Sequence, residues 1–406
     1  GRMPAVAVIG ALTFVLSALS VKLQRTGVPP LLIALACGAL LGPFAAGVVQ
    51  PTAWGLGSTE VLESVARVVL AVSLLGVALR FPRGYWRANL RWIVASIAVG
   101  MVVMFAVATG AVLLLGIPLL SAMLIAAAIT PTDPVVTTPI VTGTVAEERI
   151  PKRVRLNLSS ESGLNDGLAY LILMLPLLLV TTGGTEAWRE WLTTTLLWEV
   201  AVPVVAGFGL GWAAGWLLDA VIARGWSNST SYLGYALALA LAILAGLRII
   251  ETDAVLGVFV AGAAFGNRLT DDLRAELGRE IDELGRVLIL PLFAVIGALL
   301  PFDRWAAEGW ALPLVLVLAL IARRVAGMWL TRPIYARLHS RAETAFMSWF
   351  GPVGVSALLY ACLAERRTGD DLVLPAVLLA IALSVVIHGL STRPAGVWLQ
   401  RRERMG

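Results

Sequence analysis

Charge is scarce in this chain of 406 residues, of which 14% are Asp, Glu, Lys or Arg and 59% are hydrophobic. A soluble domain of ordinary composition has roughly 25% charged residues. The shortage excludes that class, and apolar stretches of 18 or more residues recur, each long enough to cross a bilayer. We therefore predict an all-α, polytopic membrane protein with a single integral domain over 1–406.

Several other chemistries lack the residues that they need. Cys37 and Cys362 both lie in apolar stretches, which excludes a disulfide framework or a zinc site. His339 and His388 do not cluster, and the chain has no Gly-x-x-x-x-Gly-Lys-Ser/Thr loop for ATP. The basic residues behind the net charge of +5 lie in short loops between apolar stretches. They therefore indicate how the protein is oriented in the membrane and not that it binds nucleic acid. We expect no enzyme activity and no cofactor.

The apolar stretches divide the chain into thirteen predicted spans. Arg2 before a short apolar run also fits a signal peptide, but the charge balance below favours a first span. The segments are 3–21, 29–48, 59–79, 91–115, 119–142, 155–180, 197–222, 230–247, 250–267, 284–302, 308–331, 343–364 and 371–392.

The basic residues are distributed unevenly between the two sets of loops. If the N-terminus is outside, 22 of the 31 Lys and Arg fall on the cytoplasmic side, six fall outside and three lie within spans. Cytoplasmic loops are enriched in Lys and Arg. We predict a multi-pass protein of the plasma (inner) membrane with its N-terminus outside and its C-terminus inside.

The fifth span contains Thr130-Pro131-Thr132-Asp133-Pro134. Each proline lacks an N–H group and crowds the carbonyl four residues earlier, so a regular helix cannot continue through both. Freed backbone groups and a carboxylate are tolerated at membrane depth where they line a cavity or hold an ion. We predict a broken helix with a cation or proton site at the break, in preference to a kinked helix with a solvated loop.

The twelfth span has a similar interruption at Gly351, Pro352 and Gly354. It occupies the place of the fifth span if 3–180 and 230–392 are two six-helix repeats joined by a linker helix at 197–222. The fifth and twelfth spans are seven apart, and because seven is odd, the two repeats cross the membrane in opposite orientations. Paired interruptions in such inverted repeats mark the midplane site of transporters. We therefore predict two crossed broken helices.

The sixth span contains Ser159-Ser160-Glu161-Ser162-Gly163-Leu164-Asn165-Asp166-Gly167. On a helix, Ser162 and Asp166 share one face, and we predict that they complete an oxygen site with Asp133. Glu161 points elsewhere and needs a buried cation, for which Arg323 and Arg324 are the candidates. The alternative is that these polar groups only hold helices together.

The paired motifs Thr132-Asp133-Pro134 and Glu161-Ser162-Gly163-Leu164-Asn165-Asp166-Gly167 resemble those of the monovalent cation/proton antiporters, in particular the electroneutral sodium/proton (NhaP/NHE-like) branch. The resemblance covers nearly the whole chain. It implies a thirteen-helix fold, a six-helix core that moves against a dimerisation domain, and a homodimer.

The resemblance also implies roles for individual residues. Asp166 would bind the ion and the proton, and Asn165 stands where the electrogenic branch has a second aspartate. Glu161 would pair with Arg324, from the Arg-Val-x-Gly pattern, with Arg323 as the alternative. The implied sodium ligands are Asp166, Asp133, Ser162 and Thr132.

The sequence departs from the family in three places. The second break lacks the arginine of many relatives, and no hydrophilic regulatory domain is expected after Arg404. Glu251 and Asp253 have no family role, and we expect a solvated rim there; His388 is unassigned.

Sharing of Asp166 by sodium (or lithium) and a proton implies one-for-one, electroneutral exchange by alternating access. Potassium/proton exchange and, from the residues alone, a cation channel or an intramembrane hydrolase are the alternatives. The expected partners are the two ions and the bilayer.

Overall fold

The structure is a computed structural model that describes residues 2–19, 22–23, 27–55, 57–133, 136, 138–226 and 232–405. In this part of the chain the regular structure is entirely helical. The main helices are α1 (Arg2–Ala18), α2 (Pro30–Leu41), α3 (Thr59–Ala78), α4 (Leu90–Leu115), α5 (Leu119–Ile129), α6 (Lys152–Thr181), α7 (Gly184–Ala223), α8 (Tyr232–Ile249), α9 (Ala254–Gly266), α10 (Asp271–Ala298), α11 (Ala311–Tyr335), α12a (Arg341–Trp349), α12b (Val355–Thr368) and α13 (Val373–Met405).

Short helices and two irregular stretches complete the secondary structure. α4 and α7 include π-helical stretches at Val94–Gly100 and Trp191–Ala201. The short helices are Pro51–Trp54, Tyr85–Ala88, Thr138–Val141, Thr144–Arg149 and Phe302–Glu308.

Seven of the helices are long and apolar enough to cross a membrane, namely α3, α4, α6, α7, α8, α11 and α13. α10 and the short helix Phe302–Glu308 together make an eighth candidate, bent by 56°, and four shorter apolar helices lie in α1, α2, α5 and α9. Each of the thirteen apolar segments overlaps a helix. The chain is therefore an all-helical, multi-pass membrane protein, while the count of thirteen crossings stays a prediction.

Three helices are longer than hydropathy indicates: α7, α13 and α10, which begins at Asp271 and not near 284. The segment 197–222 is the second part of α7, which begins at Gly184, and the segment 371–392 continues as helix to Met405. All three extensions contain polar residues, which end a hydropathy signal without ending a helix. Glu403, in the extension of α13, pairs with Arg153 on α6 at 3.3 Å.

Both of the interruptions that we expected are present in the described residues. α5 ends at Ile129 and helix resumes at Thr138, while α12a ends at Trp349 and α12b begins at Val355. Pro131 lies in the first interruption, where it cannot donate a backbone hydrogen bond. Pro134, the other predicted breaker of that span, lies outside the described residues.

The helices pack in two groups. α4, α5, α6, α11, α12 and α13 contact one another, and so do α1, α2, α3, α7, α8, α9 and α10. Glycines let backbones touch in the second group: a Cβ on Gly38 would lie 2.0 Å from the Ala294 carbonyl oxygen, and one on Gly211 would lie 2.1 Å from that of Ala261. Contacts of α3 with α12b and of α6 with both α7 and α9 join the groups, which places α6 between them.

Candidate ion-binding site

Asp133 connects the two interrupted helices. Its backbone N–H donates to the carbonyl of Pro352 at 2.8 Å, and its carboxylate accepts the N–H of Val355 at 2.5 Å and that of Val136 at 3.3 Å. Val355 is the first residue of α12b, where the positive end of the helix dipole favours an anion. The unwound segments therefore cross at Asp133, which is fully buried.

Gly354 is required at this crossing for steric reasons. A Cβ at this position would lie 2.4 Å from Asp133 Oδ2. A larger residue would push the carboxylate away from the start of α12b, so the glycine belongs to the geometry of the site and not only to the helix break.

Arg323 lies at the opposite ends of the same two breaks. Its Nη1 donates to the carbonyl of Thr130 at 2.8 Å and its Nη2 to that of Gly351 at 2.6 Å. These carbonyls follow the last residues of α5 and α12a, where the helix dipole is negative. The buried guanidinium thus supplies hydrogen bonds and positive charge to both ends at once.

Asn165 and Ser162 of α6 hold the first unwound segment. The Asn165 side chain accepts from the N–H of Thr132 at 3.1 Å and donates to its hydroxyl at 2.9 Å. That hydroxyl also lies 3.0 Å from Ser162 Oγ. Because the amide both donates and accepts, it joins α6 to the break in a way that a carboxylate would reproduce only in part.

Asp166 is the chemically unusual residue of the site. It is fully buried, and neither carboxyl oxygen makes a hydrogen bond of normal geometry to a described residue. The Ser356 hydroxyl of α12b lies beside it, and Asp133 is close enough to act on it electrostatically. Tyr360 donates its hydroxyl proton to the backbone carbonyl of Asp166. A buried carboxyl without donors is stable only if it is protonated or if it holds a cation.

Glu161 faces away from this cluster and meets Arg324. The guanidinium contacts both carboxylate oxygens, with Nη2 to Oε2 at 2.9 Å, and both side chains are buried. The neighbouring Arg323 contacts backbone carbonyls instead. The structure therefore brings together the favoured arginine and Glu161.

The predicted sodium ligands do not form a preformed cage. The hydroxyls of Thr132 and Ser162 bond to each other, and Asp133 is engaged at the start of α12b. Asp166 makes no bond to any of these three. It is thus the free acceptor in a group of otherwise engaged oxygen atoms.

Three further residues near the site, Ser356, Tyr360 and Ser384, were missed from the sequence, and His388 was named there without a role. Ser356 and Tyr360 share a face of α12b and approach Asp166. On α13, Ser384 accepts the N–H of Val353 at 2.9 Å and lies 3.0 Å from His388 Nδ1. In both pairs a polar residue recurs four positions later on an apolar helix, and this spacing was the available signal.

The expectation of a solvated rim at Glu251 and Asp253 is wrong for Asp253. Glu251 is exposed, but Asp253 is buried and its Oδ1 accepts the N–H of Val255 at 3.2 Å, capping α9. The cap turns the carboxylate inward, which a count of charges near a span end does not reveal.

Comparisons with known proteins agree with this architecture. A probable Na⁺/H⁺ antiporter of Schizosaccharomyces pombe is 31% identical over 89% of this chain and 49% of its own length. The K⁺/H⁺ antiporter NhaP2 of Shewanella oneidensis is 27% identical over 95% of this chain and 66% of its own. The chain thus spans less than two thirds of either relative.

The fold also has a counterpart among solved structures. The sodium proton antiporter MjNhaP1 of Methanocaldococcus jannaschii matches with a TM-score of 0.75 at 17% identity, over 98% of this chain and 99% of that one. At that identity the match concerns the fold alone. The family model described as "Sodium/hydrogen exchanger, transmembrane" matches residues 10–398, and the chain therefore belongs to this family.

Proposed function

We propose that the protein is a secondary active antiporter that exchanges sodium (or lithium) for protons. The observation that carries the proposal is the buried carboxyl of Asp166, which has no hydrogen-bond donor of normal geometry among the described residues. Such a group needs either a proton or a cation. Competition of the two for one carboxyl couples their transport, and the family membership favours transport over catalysis.

The neighbouring oxygen atoms suit a monovalent cation. Hard cations prefer carboxylate, hydroxyl and carbonyl oxygens, and Thr132, Ser162 and Asp133 offer such groups beside Asp166. Thr132 and Ser162 satisfy each other at 3.0 Å, so small rotations free their lone pairs when sodium enters. The cation thereby replaces the proton of Asp166 without leaving a buried charge uncompensated.

Exchange is proposed to be one-for-one and electroneutral. Asn165 carries no charge, and its amide makes one accepted and one donated hydrogen bond to Thr132. Only Asp166 then changes partner, so one positive charge replaces another in each half-cycle. Access alternates between the two faces by movement around the crossed breaks.

The wider arrangement follows from the same proposal. We assign thirteen crossings as two inverted six-helix repeats joined by α7, a plasma-membrane location with the N-terminus outside, and a homodimer. The two groups of contacting helices are the units that would move against each other. Support for the orientation is the excess of Lys and Arg in alternate loops.

Potassium/proton exchange is the alternative, favoured by the similarity to NhaP2 of Shewanella oneidensis. Ligand type does not separate the ions, because both are hard monovalent cations bound by oxygen. The deciding experiment uses purified protein in proteoliposomes with a pH-gradient dye. Sodium, lithium and potassium are added in turn, and a cation that the protein exchanges for protons dissipates the gradient. Sodium and lithium responses with none to potassium support the proposal, while a response to potassium alone assigns the alternative.

A further inference from the structure

A second pair of buried acids includes Asp253, which lies about one helical turn further along the α6 axis than Asp166. α6 and α9 run antiparallel in contact: a Cβ on Gly163 would lie 2.3 Å from Phe259, and one on Gly167 would lie 2.6 Å from Leu256. If this register continues, Asp253 at the start of α9 lies level with Tyr170, which is four residues after Asp166 on α6. At 1.5 Å per residue, this is an offset of about 6 Å along the α6 axis.

The pair consists of Asp253, which caps α9, and Glu199, in the π-helical stretch of α7. The backbone N–H of Asp253 donates to the carbonyl of Glu199 at 2.8 Å. The two residues are 1% and 8% exposed. Asp253 Oδ2 and Glu199 Oε2 are both buried without a hydrogen-bond partner among the described residues. π-helical stretches often occur at functional sites.

Several arginines surround this pair, but none forms an ion pair with either acid in the described chain. Arg67 of α3 and Arg248 of α8 lie within electrostatic reach of Asp253. Arg67 is already bound to Glu63 at 2.6 Å, and neither acid of the pair takes part in an ion pair in the described chain. Each carboxyl therefore keeps one buried oxygen that is free to accept a proton.

Two buried tyrosines lie near the pair and the exchange site. Tyr360 of α12b donates to the carbonyl of Asp166 and lies within electrostatic reach of both Asp166 and Asp253. Tyr170, four residues after Asp166 on α6, lies within reach of Glu199 and Asp253. Both side chains are buried. Tyr360 thus lies near both Asp166 and the pair, and Tyr170 lies near the pair.

We propose that Glu199 and Asp253 form a proton-transfer site between Asp166 and the outer face, which is the face opposite the arginine-rich start of α6. One proton leaves the Asp166 carboxyl as sodium binds there, and one proton is taken up by an ionised carboxylate of the pair. The pair releases this proton to the outer face, so charge and protons balance. The proposal rests on Asp166 being the exchange site.

The test uses the double variant Glu199→Gln/Asp253→Asn, in which both amides keep the shape of the acids and Asn still caps α9. Exchange is measured in right-side-out and everted vesicles while the pH of one face is varied. We expect exchange to slow about tenfold or more, because a positioned proton-transfer group is lost. The profile of the exchange rate against outer pH should shift by about one pH unit. The profile against cytoplasmic pH should not move. The control is Glu251→Gln, an exposed carboxyl near the same helix start, which should leave both profiles unchanged.

A second measurement does not depend on transport. The infrared carbonyl band of protonated carboxyl groups should be weaker in the double variant than in the wild type. An unchanged outer pH profile, equal slowing at every pH, or an unchanged band would each overturn the proton-transfer site. If the wild type shows no exchange but the double variant still has the weaker band, the proposed function is overturned. The assignment of the acid pair as a proton-binding group would then remain.

Discussion

Arg324 faces Glu161 in a two-point ion pair, with its Nη2 2.9 Å from Oε2 and its Nη1 on Oε1. Arg324 Nε also donates to the carbonyls of Met347 at 3.0 Å and Phe350 at 3.1 Å. The pair therefore ties α6 and α11 to the end of α12a. Its position, directed away from Asp166, favours a structural role.

We expect the two partners to be coupled in stability. Glu161→Gln or Arg324→Ala leaves an uncompensated buried charge and should cost about 3–5 kcal/mol, and the double variant should recover part of the loss. The measurement is a double-mutant cycle on thermal unfolding of detergent-solubilised protein. Arg323→Ala is the control and should couple more weakly to Glu161, because Arg323 bonds to backbone carbonyls and not to that carboxylate. Strictly additive losses for Glu161 and Arg324 would show that the pair does not form.

Arg323 should be sensitive even to replacement by lysine. Arg323→Lys keeps the positive charge, but a single ammonium does not reproduce a planar fork that bonds Thr130 and Gly351 simultaneously. We expect a loss of stability of about 1–3 kcal/mol, the cost of one unsatisfied buried group, and slower exchange. Arg323→Ala should be worse in both respects. Equal melting temperature and rate in the lysine variant and the wild type would rule out the bridging role.

Gly354→Ala tests the contact between the crossing segments. The new Cβ would meet Asp133 Oδ2 at 2.4 Å, so the carboxylate should lose its place at the start of α12b. Overpacking of this kind costs about 1–3 kcal/mol, and exchange should fall with it. Gly110→Ala is the matched control, because no atom lies within 4 Å of its Cβ. If both variants unfold and transport alike, the crossing is less tightly packed than we describe.

The sequence was sufficient for the helical class, for both breaks and for the pairing of Glu161 with an arginine of α11. Each of these follows from strong local chemistry: prolines, glycines, or a charge in an apolar stretch. The bridging contacts of Arg323, the approach of Tyr360 to Asp166 and the burial of Asp253 depend on how helices from distant parts of the chain cross. Local spacing does not fix those crossings, so these features could not be predicted.

Electroneutrality gives a prediction about voltage. A membrane potential set with valinomycin and potassium should leave the exchange rate of the wild type unchanged, because one charge replaces one charge. Asn165→Asp should stay insensitive as well, because the new acid replaces an amide engaged with Thr132 and lacks a route for releasing its proton. The control is the same potential without a cation gradient. A clear voltage dependence of the wild-type rate would contradict the one-for-one stoichiometry.

The most direct test of the account is sodium-dependent proton movement by Asp166→Asn in proteoliposomes. The amide preserves the size of the side chain but binds neither a proton nor a cation in place of the carboxylate, so exchange should be abolished while the melting temperature stays close to that of the wild type. Asp272→Asn, at an exposed acid in the first turn of α10, is the control and should transport normally. Loss of all sodium-dependent proton movement in a folded Asp166→Asn protein is the predicted result, and retained exchange would contradict a shared site at Asp166.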